Sequence, residues 1–155
     1  METADIRKLR IGDIMTPHPT TVDPNDTMRT VARIFEENEI SGVPVVGGRG
    51  EVIGVVSRTD LIRHVLDHEE GSHFLFEALD EDGFDEEAIE ESSTVLVEDL
   101  MNPEPVTAKK HETVEVVAGR MVDNHVHRIV ITDDSDCPIG IVTTMDLLKL
   151  LRKAP

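Results

Sequence analysis

The chain has 155 residues, 39% of them hydrophobic, which suffices for one compact domain or two small units packed together. It has no Trp or Tyr, so its core must be aliphatic, and its single cysteine, Cys137, excludes an internal disulfide framework. A formal charge of −17 argues against a nucleic-acid backbone or an anionic membrane as the main partner.

Residues 1–9 read as a mixed polar tail with no apolar run of signal-peptide type, and no stretch approaches the roughly 20 apolar residues needed to span a bilayer. The expectation is a soluble cytoplasmic protein. From residue 10 onward the chain repeats itself. Asp13, Met15, Pro17, Pro19 and Thr21 recur as Asp99, Met101, Pro103, Pro105 and Thr107, each 86 positions later. Val31, Ala32 and Asn38 return as Val117, Ala118 and Asn124, and Ile53, Gly54, Val56, Asp60 and Leu61 as Ile139, Gly140, Val142, Asp146 and Leu147. One register held without a gap marks a duplicated unit, at 10–66 and 95–153.

Within each unit a short extended run, Thr20 to Val22 or Val106 to Ala108, comes first. Met28, Val31, Ala32 and Phe35 then follow helical spacing, as do Val114, Val117, Ala118 and Met121, with Asp26 or Thr27 and Thr113 as N-caps. Two β-rich runs follow in each: Val43 to Val46 with Val52 to Val56, and Ile129 to Thr132 with Ile139 to Val142. Hairpin-type turns, Gly47 to Gly50 and Asp133 to Asp136, join them. A second helix closes each unit, near Thr59 to Leu66 and Thr144 to Leu151. The fold class is α+β, two βαββα repeats. A three-stranded sheet with helices on one face leaves apolar surface uncovered, so the repeats should pack sheet to sheet.

Between the repeats, 67–94 is acidic: positions 67 to 91 hold twelve carboxylates and no Lys or Arg. Phe74, Phe76 and Phe84 in the same segment suggest an ordered arm resting on the module. A calcium loop turning at Gly83 would need ligands at Ala78 and Ile89, which have none to offer. His64, His68 and His73 could bind zinc by spacing, but exposed histidines are the commoner reading, and no metal site is assigned. Cys137 beside Pro138 has no nearby activating His in sequence, and no Walker-type glycine loop is present, so catalysis is not expected.

The repeated elements resemble the cystathionine β-synthase (CBS) domain pair, or Bateman module. They are Asp13-Ile14-Met15-Thr16-Pro17 with Asp99-Leu100-Met101-Asn102-Pro103, Ile40 to Val46 with Val126 to Ile131, and Gly54 to Asp60 with Gly140 to Asp146. The resemblance covers both repeats. It implies a regulatory module that binds an adenosyl ligand (AMP, ADP, ATP or S-adenosylmethionine) between the repeats, forms a homodimer, and signals to a separate effector protein. It implies one site built from Ser57, Arg58, Thr59 and Asp60, with Pro105, Val106 and Thr107 toward the adenine and His127 and Arg128 toward phosphate. A second, weaker site would join Thr20, Thr21, Ser41 and Gly42 to Thr143, Thr144 and Asp146.

The residues support that reading at each strand end. A hydroxyl opens the turn and an Asp follows in the first helical turn, suiting ribose and phosphate oxygens, although Ser57, Asp60, Thr143 and Asp146 would equally serve as helix caps. Arg128 offers a planar fork for phosphate, whereas Ser41 and Gly42 carry no charge. The alternative function is a ligand-free dimerisation scaffold that docks partners through the acidic arm.

Overall fold

A computed structural model describes residues 5–67 and 95–153; the acidic arm with its phenylalanines, and His68 and His73, lie outside the described residues. In chain order the elements are β1 (Thr16–Pro17), α1 (Met28–Asn38), β2 (Gly42–Val46), β3 (Val52–Ser57), α2 (Arg58–Asp67), α3 (Val97–Leu100), β4 (Thr107–Lys109), α4 (Val114–Asp123), β5 (Arg128–Thr132), β6 (Pro138–Thr143) and α5 (Thr144–Lys153). The architecture is α+β, with the βαββα pattern in both repeats.

The two first helices start and stop by the same devices. The Thr27 hydroxyl accepts the Thr30 N–H and that of Thr113 accepts the Val116 N–H, satisfying one orphan donor at each N-terminus. Met28, Val31 and Phe35 are buried on one face of α1, and Val114, Val117 and Met121 on one face of α4. At the far end the side-chain amide of Asn38 donates to the Ile34 carbonyl, and that of Asn124 to the Arg120 carbonyl. The residue after each asparagine, Glu39 or His125, takes a left-handed φ of 53° or 54°. That reversal turns the chain into β2 and β5.

Each following strand pair is an antiparallel hairpin with one bulge, between Val45 and Val46 in the first and Ile131 and Thr132 in the second. The first turn uses Gly50 at φ 80°. In the second, Asp133 Oδ1 accepts the N–H groups of Ser135 and Cys137. The leading strands differ from expectation. In the second repeat β4 runs parallel to β5 and begins at Thr107, one residue later than the sequence suggested. In the first, Thr20 and Thr21 form no strand and Val22 alone bridges Val45. Pro24 has no N–H to extend the ladder, and the Asp23 side chain accepts the Asn25 N–H, so the backbone turns away there.

The opening segment of each repeat belongs to the other repeat. β1 pairs with β6, completing a sheet of order β1-β6-β5-β4. Asn102 bridges Val55 on β3 in the same antiparallel sense. Four backbone bonds, all 2.8 Å, repeat the exchange: Val114 N–H to the Leu9 carbonyl, Met28 N–H to that of Val95, Ile11 N–H to that of Glu112, and Val97 N–H to that of Asp26. Burial follows the crossing. Ile11 joins the core of Val117, Ile129 and Val142, while Val97 and Leu100 join that of Val31, Phe35 and Val56. The hairpin turns also touch, with the Val52 N–H donating to the Asp136 carbonyl.

Candidate functional site

Strands β3 and β6 run directly into α2 and α5, and each junction is a reciprocal cap. Asp60 Oδ2 accepts the Ser57 N–H at 2.7 Å and the Ser57 hydroxyl at 3.0 Å. The Asp60 N–H in turn reaches Ser57 Oγ at 3.4 Å. Thr143 and Asp146 repeat the arrangement at 2.8, 3.1 and 3.3 Å. The capping reading therefore holds at both junctions. Among the described residues, Asp60 Oδ1 keeps a long contact to Arg63, at 3.4 Å.

A cavity of about 580 Å³ opens between the repeats beside Asp60, a volume in the range of small-molecule sites. From the first repeat, Val55, Ser57, Thr59, Asp60 and Arg63 line it. Pro105 and Val106 form an apolar stretch of the opposite wall, with Leu100, Met101 and Asn102 from the crossing segment of the second repeat. His125, Val126, His127 and Arg128 complete it. Among the described residues, Arg63, His125, His127 and Arg128 thus face one carboxylate, Asp60, in a chain whose overall charge is strongly negative. That local inversion of charge suits an anionic ligand.

Arg128 is anchored by two short hydrogen bonds. Its guanidinium donates to the Ser41 carbonyl and to Ser41 Oγ, each at 2.7 Å. Burial pushes the guanidinium below its ordinary value, and the Asp60 carboxylate works against that shift. The guanidinium can lie there only because residue 42 is glycine: a Cβ on Gly42 would fall 2.6 Å from Arg128 Cδ and Cζ.

Of the residues expected at this site, the structure brings Ser57, Thr59, Asp60, Pro105, Val106, His127 and Arg128 around the one cavity. Two do not line it. The Arg58 guanidinium points to the Phe35 carbonyl, because the first residue of α2 faces back toward α1. Thr107 is committed to β4, and its carbonyl accepts from Arg120. Arg63, His125 and Leu100 to Asn102 are additions. Arg63 follows Asp60 by one helical turn and shares its face, a signal that spacing carried. His125 stands two residues from His127, but its left-handed backbone, not strand alternation, aims it. The crossing of residues 100–102 has no local signal.

The residues of the weaker site are placed differently. Ser41 and Gly42 are engaged by Arg128, Thr20 and Thr21 are exposed, and the Thr144 N–H donates to the His127 carbonyl. Glu39 holds the position that His125 holds in the other repeat, so this half offers an acid where the Asp60 cavity offers a base. Among the described residues, no group of three His, Cys, Asp or Glu is arranged to hold a metal, and no helix is long and apolar enough to cross a membrane.

Comparison with known proteins agrees with this fold. An uncharacterised protein of Methanocaldococcus jannaschii is 30% identical over 153 residues, which covers 91% of this chain and 90% of that protein. Further curated relatives are longer, the chain spanning 41% of one and 24% of another. The solved CBS domain of a CBS-domain-containing membrane protein from Sphaerobacter thermophilus superposes with a TM-score of 0.74 at 32% identity, covering 94% of this chain and 89% of that one. The CBS-pair protein CBSX2 of Arabidopsis thaliana, solved in complex with AMP, shares the fold with a TM-score of 0.71 at 24% identity, covering 94% and 97%. The CBS domain model matches residues 11–67 and again 97–153, and with both repeats accounted for, this chain belongs to the CBS domain family.

Proposed function

We propose that the chain is a regulatory module that binds an adenine nucleotide in the cavity beside Asp60 and passes the binding event to a partner protein. The observation that carries this reading is the meeting, among the described residues, of four bases and one carboxylate from both repeats around a single cavity. Asp60 Oδ1 and the Ser57 hydroxyl suit a ribose diol, which presents two donors. Pro105 and Val106 offer an apolar face to the base. His127, Arg128, Arg63 and His125 supply donors for phosphate oxygens. A ligand touching both repeats favours one arrangement of them over another, which is what a signal requires. That CBSX2 was solved with AMP makes AMP the first ligand to test.

Self-association belongs to the same proposal. Ile62 and Leu66 on α2, with Met145, Leu148 and Leu151 on α5, are each about half exposed or more. Apolar side chains collected on two helices suit a second copy of the chain.

The test is thermal unfolding with AMP, ADP, ATP and S-adenosylmethionine. A ligand held at 100 times its dissociation constant adds about 2.7 kcal/mol to the native state. The expected result is a raised midpoint with at least one nucleotide, lost in Asp60→Ala. If no nucleotide moves the wild-type midpoint, the sensor reading fails and the scaffold reading replaces it.

A further inference from the structure

We infer that His125 and Glu39 are a matched pair of ligand selectors: His125 admits phosphate to the Asp60 cavity, and Glu39 turns it away from the half built around Asp146. The inference rests on the reading of the Asp60 cavity as a nucleotide site, and it names what decides which half a phosphate enters.

The two residues hold one backbone position, 86 apart. Each follows the asparagine that closes a first helix, at φ 53° for Glu39 and 54° for His125. The chain leaves both helices by the same bond, the Ile40 N–H to the Phe35 carbonyl at 3.2 Å and the Val126 N–H to that of Met121 at 3.0 Å. Matching backbones aim the two Cα–Cβ bonds alike, each within its own half. Glycine adopts a left-handed φ at no steric cost and is the usual residue where a helix ends this way. Both copies keep a long polar side chain there instead. Those side chains do not serve the fold: both residues are exposed, and among the described residues neither side chain takes a hydrogen bond or ion pair. His125 lines the cavity.

Chemistry separates the pair. An imidazole offers an N–H donor to a phosphate oxygen in either of its protonation states. An ionised carboxylate only accepts, and it repels the same oxygen. The neighbours follow the sign of each. Arg63, His127 and Arg128 line the cavity with Asp60, whereas the corresponding positions of the Asp146 half hold Lys149, Ser41 and Gly42. That half therefore sets Lys149 against both Asp146 and Glu39. A phosphate-bearing ligand is directed to one half, and the chain takes one.

The experiment is isothermal titration of AMP, ADP, ATP and adenosine into wild type, His125→Gly, His125→Asn, His125→Glu and Glu39→His. Circular dichroism and unfolding midpoints report folding. His125→Gly should leave the midpoint nearly unchanged, since glycine adopts the left-handed φ without strain. Wild type should take one equivalent of nucleotide per chain. His125→Gly should weaken the nucleotides about tenfold and leave adenosine unchanged. His125→Asn, which tolerates the same backbone and keeps an N–H donor, should fall between wild type and His125→Gly. His125→Glu should weaken the nucleotides more than His125→Gly does. Glu39→His should add a second, weaker equivalent of nucleotide, which Asp146→Ala removes.

Equal losses of nucleotide and adenosine in His125→Gly, or no loss of either, overturn the selector while the cavity reading stands. Two equal equivalents in wild type, or none added by Glu39→His, overturn the exclusion by Glu39. If wild type binds no nucleotide, the cavity reading and the selectors fall together.

Discussion

Met101 lies against Gly54 from the opposite repeat so closely that a Cβ on the glycine would stand 2.6 Å from its sulfur and 2.9 Å from the Asn102 carbonyl oxygen. Met15 covers Gly140 in the equivalent place, but there the nearest atoms all belong to the methionine side chain. A flexible thioether can shift, whereas a backbone carbonyl bonded to the Val55 N–H cannot shift without breaking that bridge. Gly54→Ala should therefore destabilise the fold by about 2–3 kcal/mol and Gly140→Ala by about 1 kcal/mol. Urea denaturation of the two variants checks the order, and equal costs would contradict it.

The two reciprocal caps separate stability from binding. Asp60→Ala and Asp146→Ala each remove a carboxylate that accepts from the backbone and hydroxyl at a helix start, so each should cost about 1 kcal/mol. Only Asp60 lines the cavity. Loss of the nucleotide-induced midpoint shift is expected in Asp60→Ala and not in Asp146→Ala, measured by titrating ligand during thermal unfolding.

The second repeat carries an ion pair that the first lacks. Arg120 grips Glu112 through two bonds, at 2.6 and 3.0 Å, and also donates to the Thr107 carbonyl. Positions 26 and 34, the counterparts in the first repeat, are Asp and Ile. The guanidinium holds Glu112 down to about 2 from an ordinary 4.5. A carboxylate depressed in the folded state contributes its stability above the unfolded value and loses it as pH falls through the folded one. Wild type should therefore exceed Glu112→Gln by on the order of 2 kcal/mol at pH 7. The gap should narrow below pH 4.5 and close near pH 2. Denaturant midpoints at pH 7, 4 and 3 test it, and a gap independent of pH would contradict the assignment.

Ile62 and Leu148 occupy equivalent positions on α2 and α5, and both are about half exposed. Leu148→Glu would place a charge in the centre of a helix-to-helix contact between copies, where burying it unpaired is costly. Sedimentation velocity should show wild type as a dimer and Leu148→Glu as a monomer with an unchanged circular dichroism spectrum. A monomeric wild type would remove self-association from the proposal.

The spacing of 86 made the elements readable because each device recurs: Thr27 with Thr113, Asn38 with Asn124, Ser57 and Asp60 with Thr143 and Asp146. Aligning a repeat on its copy shows which residues are equivalent. It cannot show which copy each one packs against, so the exchange of Ile11 and Val97 between cores had no sequence signal. The same blindness hid Leu100 to Asn102 from the cavity wall. Arg58 was misplaced because adjacency in sequence to Ser57 and Asp60 does not fix the direction of a side chain at a helix start. The seating of Arg128 over Gly42 joins two distant parts of the chain and had no sequence signal either.

The traded opening segments also bear on how such a molecule could have arisen. A single ancestral half, ending its sheet one strand short and its core without Ile11 or Val97, would have satisfied both by lending its first residues to an identical neighbour. Fusion of the two genes would then have tied an intertwined pair into one polypeptide, leaving each half free to diverge in charge. Produced as separate fragments, residues 5–67 and 95–153 should remain unstructured alone and regain the spectrum of the whole chain when mixed.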